Sequence, residues 1–325
     1  MIYLITGGCG FIGSNFIKYL LKRYENSEII NLDKLTYAGN QDNFTQEETV
    51  NKRHKIIIMD INDPDIAKCV KACDVIVHFA AESHVDNSIK SADDFITTNI
   101  NGTYNLLEIA RRYDKRFHHV STDEVYGSLE LGSKEKFNEK TAYAPRNPYS
   151  ASKASSDHLV MSYYHTHGLS VTISNCSNNY GPYQNIEKFV PKAITNILRG
   201  ERVPVYGDGK NVRDWLHVDD HCKAIDLIIN EGKIGETYCV GGMGKDYSNL
   251  DILKMISELM GYDLEDVVSY VPDRVGHDRR YAIDWTKIYD ELGWEPERSV
   301  EVNIIKTIEW YKDNKDWWSV EKYVQ

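Results

Sequence analysis

The apolar run Ile2–Thr6 passes without a spacer into Gly7-Gly8-Cys9-Gly10-Phe11-Ile12-Gly13 and then into a helical pattern. A strand that ends in a glycine-rich turn and restarts as a helix is the opening of a βαβ unit. Gly8, Gly10 and Gly13 satisfy GxGxxG, and Gly7, Gly10 and Gly13 satisfy the looser GxxGxxG. Such a turn is tight, and its backbone is open to a pyrophosphate at the helix amino terminus. The second apolar run ends at Asp33, 20 residues after Gly13, where a carboxylate can accept from both hydroxyls of an adenosine ribose. That favours NAD over NADP, because a 2′-phosphate would meet Asp33 as a like charge; the neighbouring Lys34 partly offsets the preference. Asp60 and Ile61, expected at the end of the third strand, are placed to meet the adenine.

Short apolar runs alternate with helical patterns through the first half, at Ile2–Thr6, Ile29–Asp33, Lys55–Asp60, Val75–Ala80, Phe117–Ser121 and Ser170–Asn175. Runs that are continuously apolar suit strands covered on both faces, so the expected class is α/β, a doubly wound parallel sheet of Rossmann type. Ligands of such sheets gather at the carboxyl ends of the strands. After about residue 182 the pattern loosens into helices, turns such as Gly207-Asp208-Gly209 and an aromatic helix around Ile304–Tyr311. The expected organisation is therefore an NAD-binding Rossmann domain over 1–182, joined by part of 212–242, and a smaller carboxyl-terminal α/β substrate lobe over 183–325. No linker-like or low-complexity segment separates them, so close packing with more than one chain crossing is expected.

The formal charge of −11 argues against nucleic acid, whose phosphates need a basic face. It does not exclude a small anion, since local arginines can reverse the potential in a cleft. No run approaches the ~18 apolar residues of a spanning helix. The amino terminus carries no basic leader and reads as a buried strand, so no membrane association and a cytoplasmic location are expected. Cysteines 9, 69, 73, 176, 222 and 239 form no CxxC pair and are expected to be free thiols with no metal; the Cys69/Cys73 spacing fits one helix face.

Tyr149 and Lys153 are four apart in a helical segment, so their side chains share a face. Bringing a tyrosine from a pKa near ~10 to about 7 takes roughly 4 kcal/mol of preferential phenolate stabilisation, which a lysine ammonium and a nicotinamide cation can supply. Hydroxyl oxidation needs only that pair. Thr122-Asp123-Glu124, ending the fifth apolar run, adds a hydroxyl for a substrate hydroxyl, an acid (Asp123) and a base (Glu124), which implies a further proton-transfer step such as loss of water. Adjacent carboxyls repel, which favours one proton between them. Strict strand alternation would send Asp123 to the opposite face from Thr122 and Glu124, so the chain must leave extended geometry there.

With those residues in place, the chain resembles an extended short-chain dehydrogenase/reductase, most closely the dTDP-glucose 4,6-dehydratases. The likeness runs through the glycine turn, LDKLTYAGN (32–40), HFAAESHVDNSI (78–89), TNINGT (98–103), STDEVYG (121–127), NPYSASKA (147–154), NCSNNYGPYQ (175–184), RDWLHVDDH (213–221) and DRVGHDRRYAID (273–284). The resemblance implies that Tyr149 takes the sugar O4 proton during C4 oxidation, Glu124 removes the C5 proton, Asp123 protonates the departing C6 hydroxyl, and hydride returns to C6. Thr122 would polarise O4, and Lys153 would hold the nicotinamide ribose and tune Tyr149. It implies NAD contacts at Gly7, Gly10, Phe11, Ile12, Gly13, Asp33, Lys34, Leu35, Thr36, Gly39, Asp60, Ile61, Ala80, Ala81, Thr98, Tyr149, Lys153 and Asn179. It implies nucleotide-sugar contacts at Ser83, Asp86, Thr122, Asn178, Glu187, Lys188, Pro204, Val205, Tyr206, Arg213, Asn249, Asp273, Arg274 and His277. Arg213 and Arg274 suit the diphosphate, being capable of bidentate bonding. A homodimer formed through the Tyr149 helix is also implied, and a product leading to rhamnose or other deoxy sugars.

One departure stands in the loop before His277, where the family's Asp-Arg-Pro-Gly-His reads with Val275 in place of proline; valine leaves that loop less restrained. His84 is either a sugar contact or a partly buried, hydrogen-bonded histidine. Three other functions stay open at this point: a nucleotide-sugar 4-epimerase, which needs no Asp123-Glu124 pair; a 4,6-dehydratase acting on a UDP-, GDP- or CDP-sugar; and a protein that binds NAD without chemistry.

Overall fold

The computed structural model describes residues 1–242, 245–274 and 276–319. Seven strands form one parallel sheet: β1 (Ile2–Thr6), β2 (Glu28–Asp33), β3 (His54–Ile58), β4 (Val75–His78), β5 (Arg116–Thr122), β6 (Val171–Cys176) and β7 (Glu236–Val240), in the order β7-β6-β5-β4-β1-β2-β3. The strand order reverses between β1 and β4, and a crevice opens at their carboxyl ends, as in doubly wound sheets generally. The helices that position the site are α1 (Phe11–Arg23), α2 (Ile66–Ala72), α3 (Thr103–Arg112), α4 (Pro148–His167), α5 (Phe189–Arg199), α6 (Val218–Glu231), α7 (Asn249–Met260) and α8 (Val300–Asp313).

Period-two alternation sorts the sheet's side chains between two layers. Leu4, Ile76 and Phe117 point into a core with α2, α3 and α4. Tyr3, Ile5, Val75, Val77 and Val120 point the other way, against α1 and α6. Burial on both faces explains why these strands read as unbroken apolar runs.

The third and fourth strands stop two residues short of expectation, at Ile58 and His78 rather than Asp60 and Ala80. The next backbone N–H groups, of Met59 and Phe79, still bond to the Asp33 and Thr6 carbonyls, after which the chain turns to form the crevice wall. Sequence periodicity did not single out β7, whose first two residues are only half-buried. Cys69 lies in α2 and Cys73 caps its end in extended geometry, and both pack into the same core; all six cysteines are free and buried.

A second core gathers Tyr180, Val190, Ile194, Val203, Trp215, Ile252, Leu253, Ile304 and Tyr311, largely from α5, α7 and α8. The chain leaves the large sheet after β6, pairs Asn178–Tyr180 with Trp215–His217, returns for α6 and β7, and leaves again through Tyr247–Ser248, which pairs with Val212–Arg213.

Phe117 is fully buried on β5 and packs against the His78 and His119 rings. Phe117→Ala is expected to cost about 3–5 kcal/mol through lost transfer energy and a residual cavity, measured as a lowered denaturation midpoint in urea.

Candidate active site

One cleft runs along the carboxyl edge of the sheet. Its wall includes Gly7, Gly10, Phe11, Ile12, Gly13, Asp33, Lys34, Thr36, Gly39, Asp60, Ile61, Ala80, Ala81, Thr98, Tyr149, Lys153 and Asn179. Leu35 does not line it: the residue adopts a φ of 56° and packs its half-buried side chain against the core under α1. Leu32, Phe79, Glu82, Val120, Ser121, Cys176, Ser177 and Gln184 also line the cleft; most lie in the last residues of a strand or just past its end, and the rule that ligands gather there could have found them.

The glycine turn fits a pyrophosphate. Gly7 has a φ of +69°, and a Cβ on it would lie 2.7 Å from the Ala80 nitrogen. A Cβ on Gly13 would collide with the Gly7 carbonyl. Gly10 begins α1 with no side-chain cap, leaving the first N–H groups of the helix available to an anion. Asp33 accepts from the Cys9 N–H at 2.9 Å and the Leu35 N–H at 2.8 Å, which fixes its carboxylate at the cleft. Burial raises its pKa, and these two bonds counter the rise. Lys34 is bound to Asp60 at 2.7 Å, so it is not free to neutralise a phosphate beside Asp33.

The chain leaves extended geometry where the alternation argument requires. Strand β5 ends at Thr122, and Asp123–Tyr126 form a single 3-10 turn whose second N–H, of Glu124, bonds to Thr122 Oγ1 at 3.3 Å. Asp123 is 1% exposed. Asp123 Oδ2 and Glu124 Oε2 are buried with no hydrogen-bond partner among the described residues. Burial, then Glu124, then Asp214 push the Asp123 pKa well above the usual carboxylate range. Burial also raises Glu124, but Arg274 and Arg213 pull against it. The two neighbours are therefore held in unlike environments.

Helix α4 starts where it does because Asn147 accepts from the Ser150 N–H at 2.8 Å in a capping box, with Pro148 as the first helical residue. Tyr149 thus falls in the first turn, where the helix dipole favours negative charge, and Lys153 lies one turn later, 4% exposed. The expected softening of Tyr149 by Lys153 is not present in the protein alone. Burial and then Glu124 push Tyr149 well above its ordinary value. Lys153 Nζ donates to the Val120 carbonyl at 2.9 Å, and against the burial and the Glu124 charge its ammonium needs a further positive charge in the cleft to ionise Tyr149.

Of the residues expected to meet a nucleotide sugar, Ser83, Thr122, Asn178, Glu187 and Lys188 line the same cleft. Lys188 Nζ donates to the Ser83 carbonyl at 3.2 Å. Asp86, Tyr206, Asp273, Arg274 and His277 form an adjoining group: Tyr206 donates to Asp86 at 3.4 Å, Arg274 lies 3.5 Å from Asp86, and His277 lies 2.6 Å from Asp273. Arg213 is buried over the Tyr281 ring at 4.4 Å and donates to the Asp278 carbonyl at 3.0 Å. Pro204 shares a strand with Tyr206, Asn249 opens α7, and Val205 is 1% exposed in the second core, its side chain out of a ligand's reach. Val275 lies outside the described residues. His84 caps the short helix Val85–Lys90 through the Asn87 N–H and lies 3.7 Å from Glu187, so it is half-buried and hydrogen-bonded.

The family model described as GDP-mannose 4,6 dehydratase matches residues 4–307. The chain is 47% identical over 320 residues to a dTDP-glucose 4,6-dehydratase of Mycobacterium tuberculosis, covering 98% of this chain and 95% of that one. It superposes with a TM-score of 0.90 on the crystal structure of dTDP-glucose 4,6-dehydratase from Bacillus anthracis in complex with NAD, at 44% identity over 98% of this chain and 99% of that one. It also resembles UDP-glucose 4-epimerase from Thermotoga maritima solved with UDP-glucose, with a TM-score of 0.88 at 29% identity over 97% of this chain and 100% of that one.

Gly13→Ala, whose Cβ would collide with the Gly7 carbonyl oxygen, is expected to displace the glycine turn and to weaken NAD binding by about tenfold or more, ~1.4 kcal/mol, read by titration of the purified protein with NAD.

Proposed function

Because the chain belongs to the dTDP-glucose 4,6-dehydratase family, within the extended short-chain dehydrogenases/reductases, we propose that it converts dTDP-glucose to dTDP-4-keto-6-deoxyglucose with NAD recycled. The observation that carries this reading is the Asp123-Glu124 pair, buried at Asp123 and half-buried at Glu124, each residue with one buried, unpartnered carboxyl oxygen, next to Tyr149. An epimerase has no use for that pair.

When bound, NAD takes a hydride from the sugar and returns it, and its positive ring joins Lys153 in favouring the Tyr149 phenolate. Tyr149 removes the O4 proton, with Thr122 donating to O4. The new ketone acidifies the C5 proton, which Glu124 removes, and C5 regains a proton from Glu124 as hydride returns to C6. Asp123, its proton held by burial and by the neighbouring Glu124, delivers it to the departing C6 hydroxyl as water leaves. Asp33 receives the adenosine ribose, with Lys34 held away by Asp60. We assign cofactor binding to residues 1–182 with part of 212–242, and nucleotide-sugar recognition mainly to the rest. Arg213 and Arg274 suit the diphosphate by their charge and their position beside Glu124.

The six free thiols fit a reducing compartment, and the cytoplasm is the proposed location; detection of the protein in an exported fraction would refute it. The keto sugar produced suits a following reduction or epimerisation, as on a route to rhamnose. A homodimer is proposed through the α3 and α4 layer, where Ile96 and Tyr104 stand 48% and 50% exposed. Sedimentation should then give twice the 37.4 kDa chain mass, and a monomer at micromolar concentration would refute it.

The deciding test is mass spectrometry of the sugar nucleotide after incubation with dTDP-glucose and substoichiometric NAD, with UDP-glucose and GDP-mannose in parallel. Loss of one water, fastest with dTDP-glucose and without accumulating NADH, is expected. Asp123→Asn and Glu124→Gln should each lower kcat by about 100-fold or more. Unchanged mass with all three sugars would remove the assignment, and inversion at C4 would replace it with an epimerase.

A further inference from the structure

Behind Lys153, on the side away from the cleft, lies a buried polar cluster that the reaction as described does not use. Asp157 stands one turn beyond Lys153 on α4 and is 1% exposed. Its Oδ2 accepts from Ser121 Oγ at 2.9 Å, Tyr143 OH at 2.9 Å and Asn175 Nδ2 at 3.1 Å. Its Oδ1 lies 3.2 Å from His119 Nε2, and the same ring nitrogen lies 3.4 Å from Lys153 Nζ.

One imidazole nitrogen cannot serve both neighbours. A neutral ring either accepts from the ammonium through Nε2 or donates through it to the carboxylate. His119 Nδ1 has no partner among the described residues, so a second ring proton would have only Asp157 to favour it. Burial, then Lys153, bring the His119 pKa down to about 4.

The remaining groups around Lys153 and Asp157 are uncharged as well. Ser121, Tyr143 and Asn175 are neutral donors. On β4, His78 stacks near His119 and is held neutral by burial. On β6, burial pushes the Cys176 thiol up to about 12. Burial disfavours the Lys153 charge, and Asp157 is the first influence that opposes it. A solitary buried ammonium would give up its proton; a paired one keeps it.

We propose that Asp157 is a positioning residue for the reaction, the buried counter-charge that keeps Lys153 protonated and aimed at the cleft, with neutral His119 as the spacer between them. This rests on the reading of Tyr149 and Lys153 as the oxidising pair. Asp157 touches neither substrate nor cofactor; it acts through the ammonium, and the ammonium through the Tyr149 phenolate.

The proposal predicts the sign of a pH shift. With Asp157→Asn, Lys153 loses its counter-charge and its proton, Tyr149 loses a neighbouring cation, and ionising Tyr149 becomes harder. The limb of kcat that rises with pH as Tyr149 deprotonates should move alkaline by about one pH unit or more, with kcat at neutral pH down about tenfold or more and KM for dTDP-glucose changed far less. Removing an anion while Lys153 stayed charged would move the limb acidic, and mere structural damage would lower the whole profile without moving it. Either result overturns the proposal. Tyr143→Phe, which removes one hydrogen bond to the carboxylate but not its charge, should leave the limb in place.

A second measurement stands without any Asp157 variant and without turnover. In the NAD-bound wild-type protein grown with ε-carbon-labelled lysine, the Lys153 resonance, assigned by its loss in Lys153→Met, should have the shift of an ammonium at neutral pH. An amine shift there would refute the counter-charge role even if the enzyme dehydrates dTDP-glucose. An ammonium shift in a protein without turnover would leave the counter-charge standing and remove the functional reading instead.

Discussion

Strand β5 stops at Thr122 because the Thr122 hydroxyl takes the Glu124 N–H and closes a 3-10 turn in place of the next sheet bond. Had the strand continued, Asp123 and Glu124 would face opposite sides of the sheet. The turn instead buries Asp123 and brings Glu124 to the cleft wall beside Tyr149. The other components of the site converge on that point: α4 delivers Tyr149 and Lys153, β6 contributes Cys176, and the second lobe brings Arg213 and Arg274 within electrostatic range of Glu124.

Concentrating so many ionisable groups in a dry region works against stability. Transfer of an unpaired charge from water into protein is costly, and a broken buried pair typically loses about 3–5 kcal/mol. The chain limits that cost by using neutral donors wherever it can, as around Asp157, and by leaving Asp123 protonated. The Asp123 Oδ2 and Glu124 Oε2 atoms, buried and unpartnered among the described residues, are the kind of unsatisfied polar atoms that mark functional sites. The apolar layers on the two faces of the sheet and the second core in the other lobe offset this strain.

Cofactor selection follows a similar logic. Asp33 is fixed by two backbone bonds before any ribose arrives, and Lys34, which by sequence position alone weakens the case for NAD, is turned toward Asp60. The preference is set by where a neighbouring charge is anchored, and one side-chain torsion could not have been read from the order of residues.

Much was legible in the chain itself. The glycine turn, the unbroken apolar runs, Asp33, the Tyr149-Lys153 spacing and the need for a break at Asp123 all follow from local stereochemistry, since covalent geometry fixes which neighbours share a face or permit a close approach. Less legible were the strand ends after Ile58 and His78, the seventh strand, the packing of Leu35 against the α1 core and the burial of Val205, because each depends on what packs against the segment from far along the chain. The same holds for protonation. Sequence names Tyr149, Lys153, Asp123 and Glu124 as an acid-base set by residue type, but burial and the residues that face them decide which hold protons. Asp157 and His119 lie 38 residues apart and acquire their relation to Lys153 only when β5 and α4 pack together. Sequence determined the elements and the chemistry on offer, and the tertiary structure decided the charges, because a pKa responds to distances through space that no local spacing specifies.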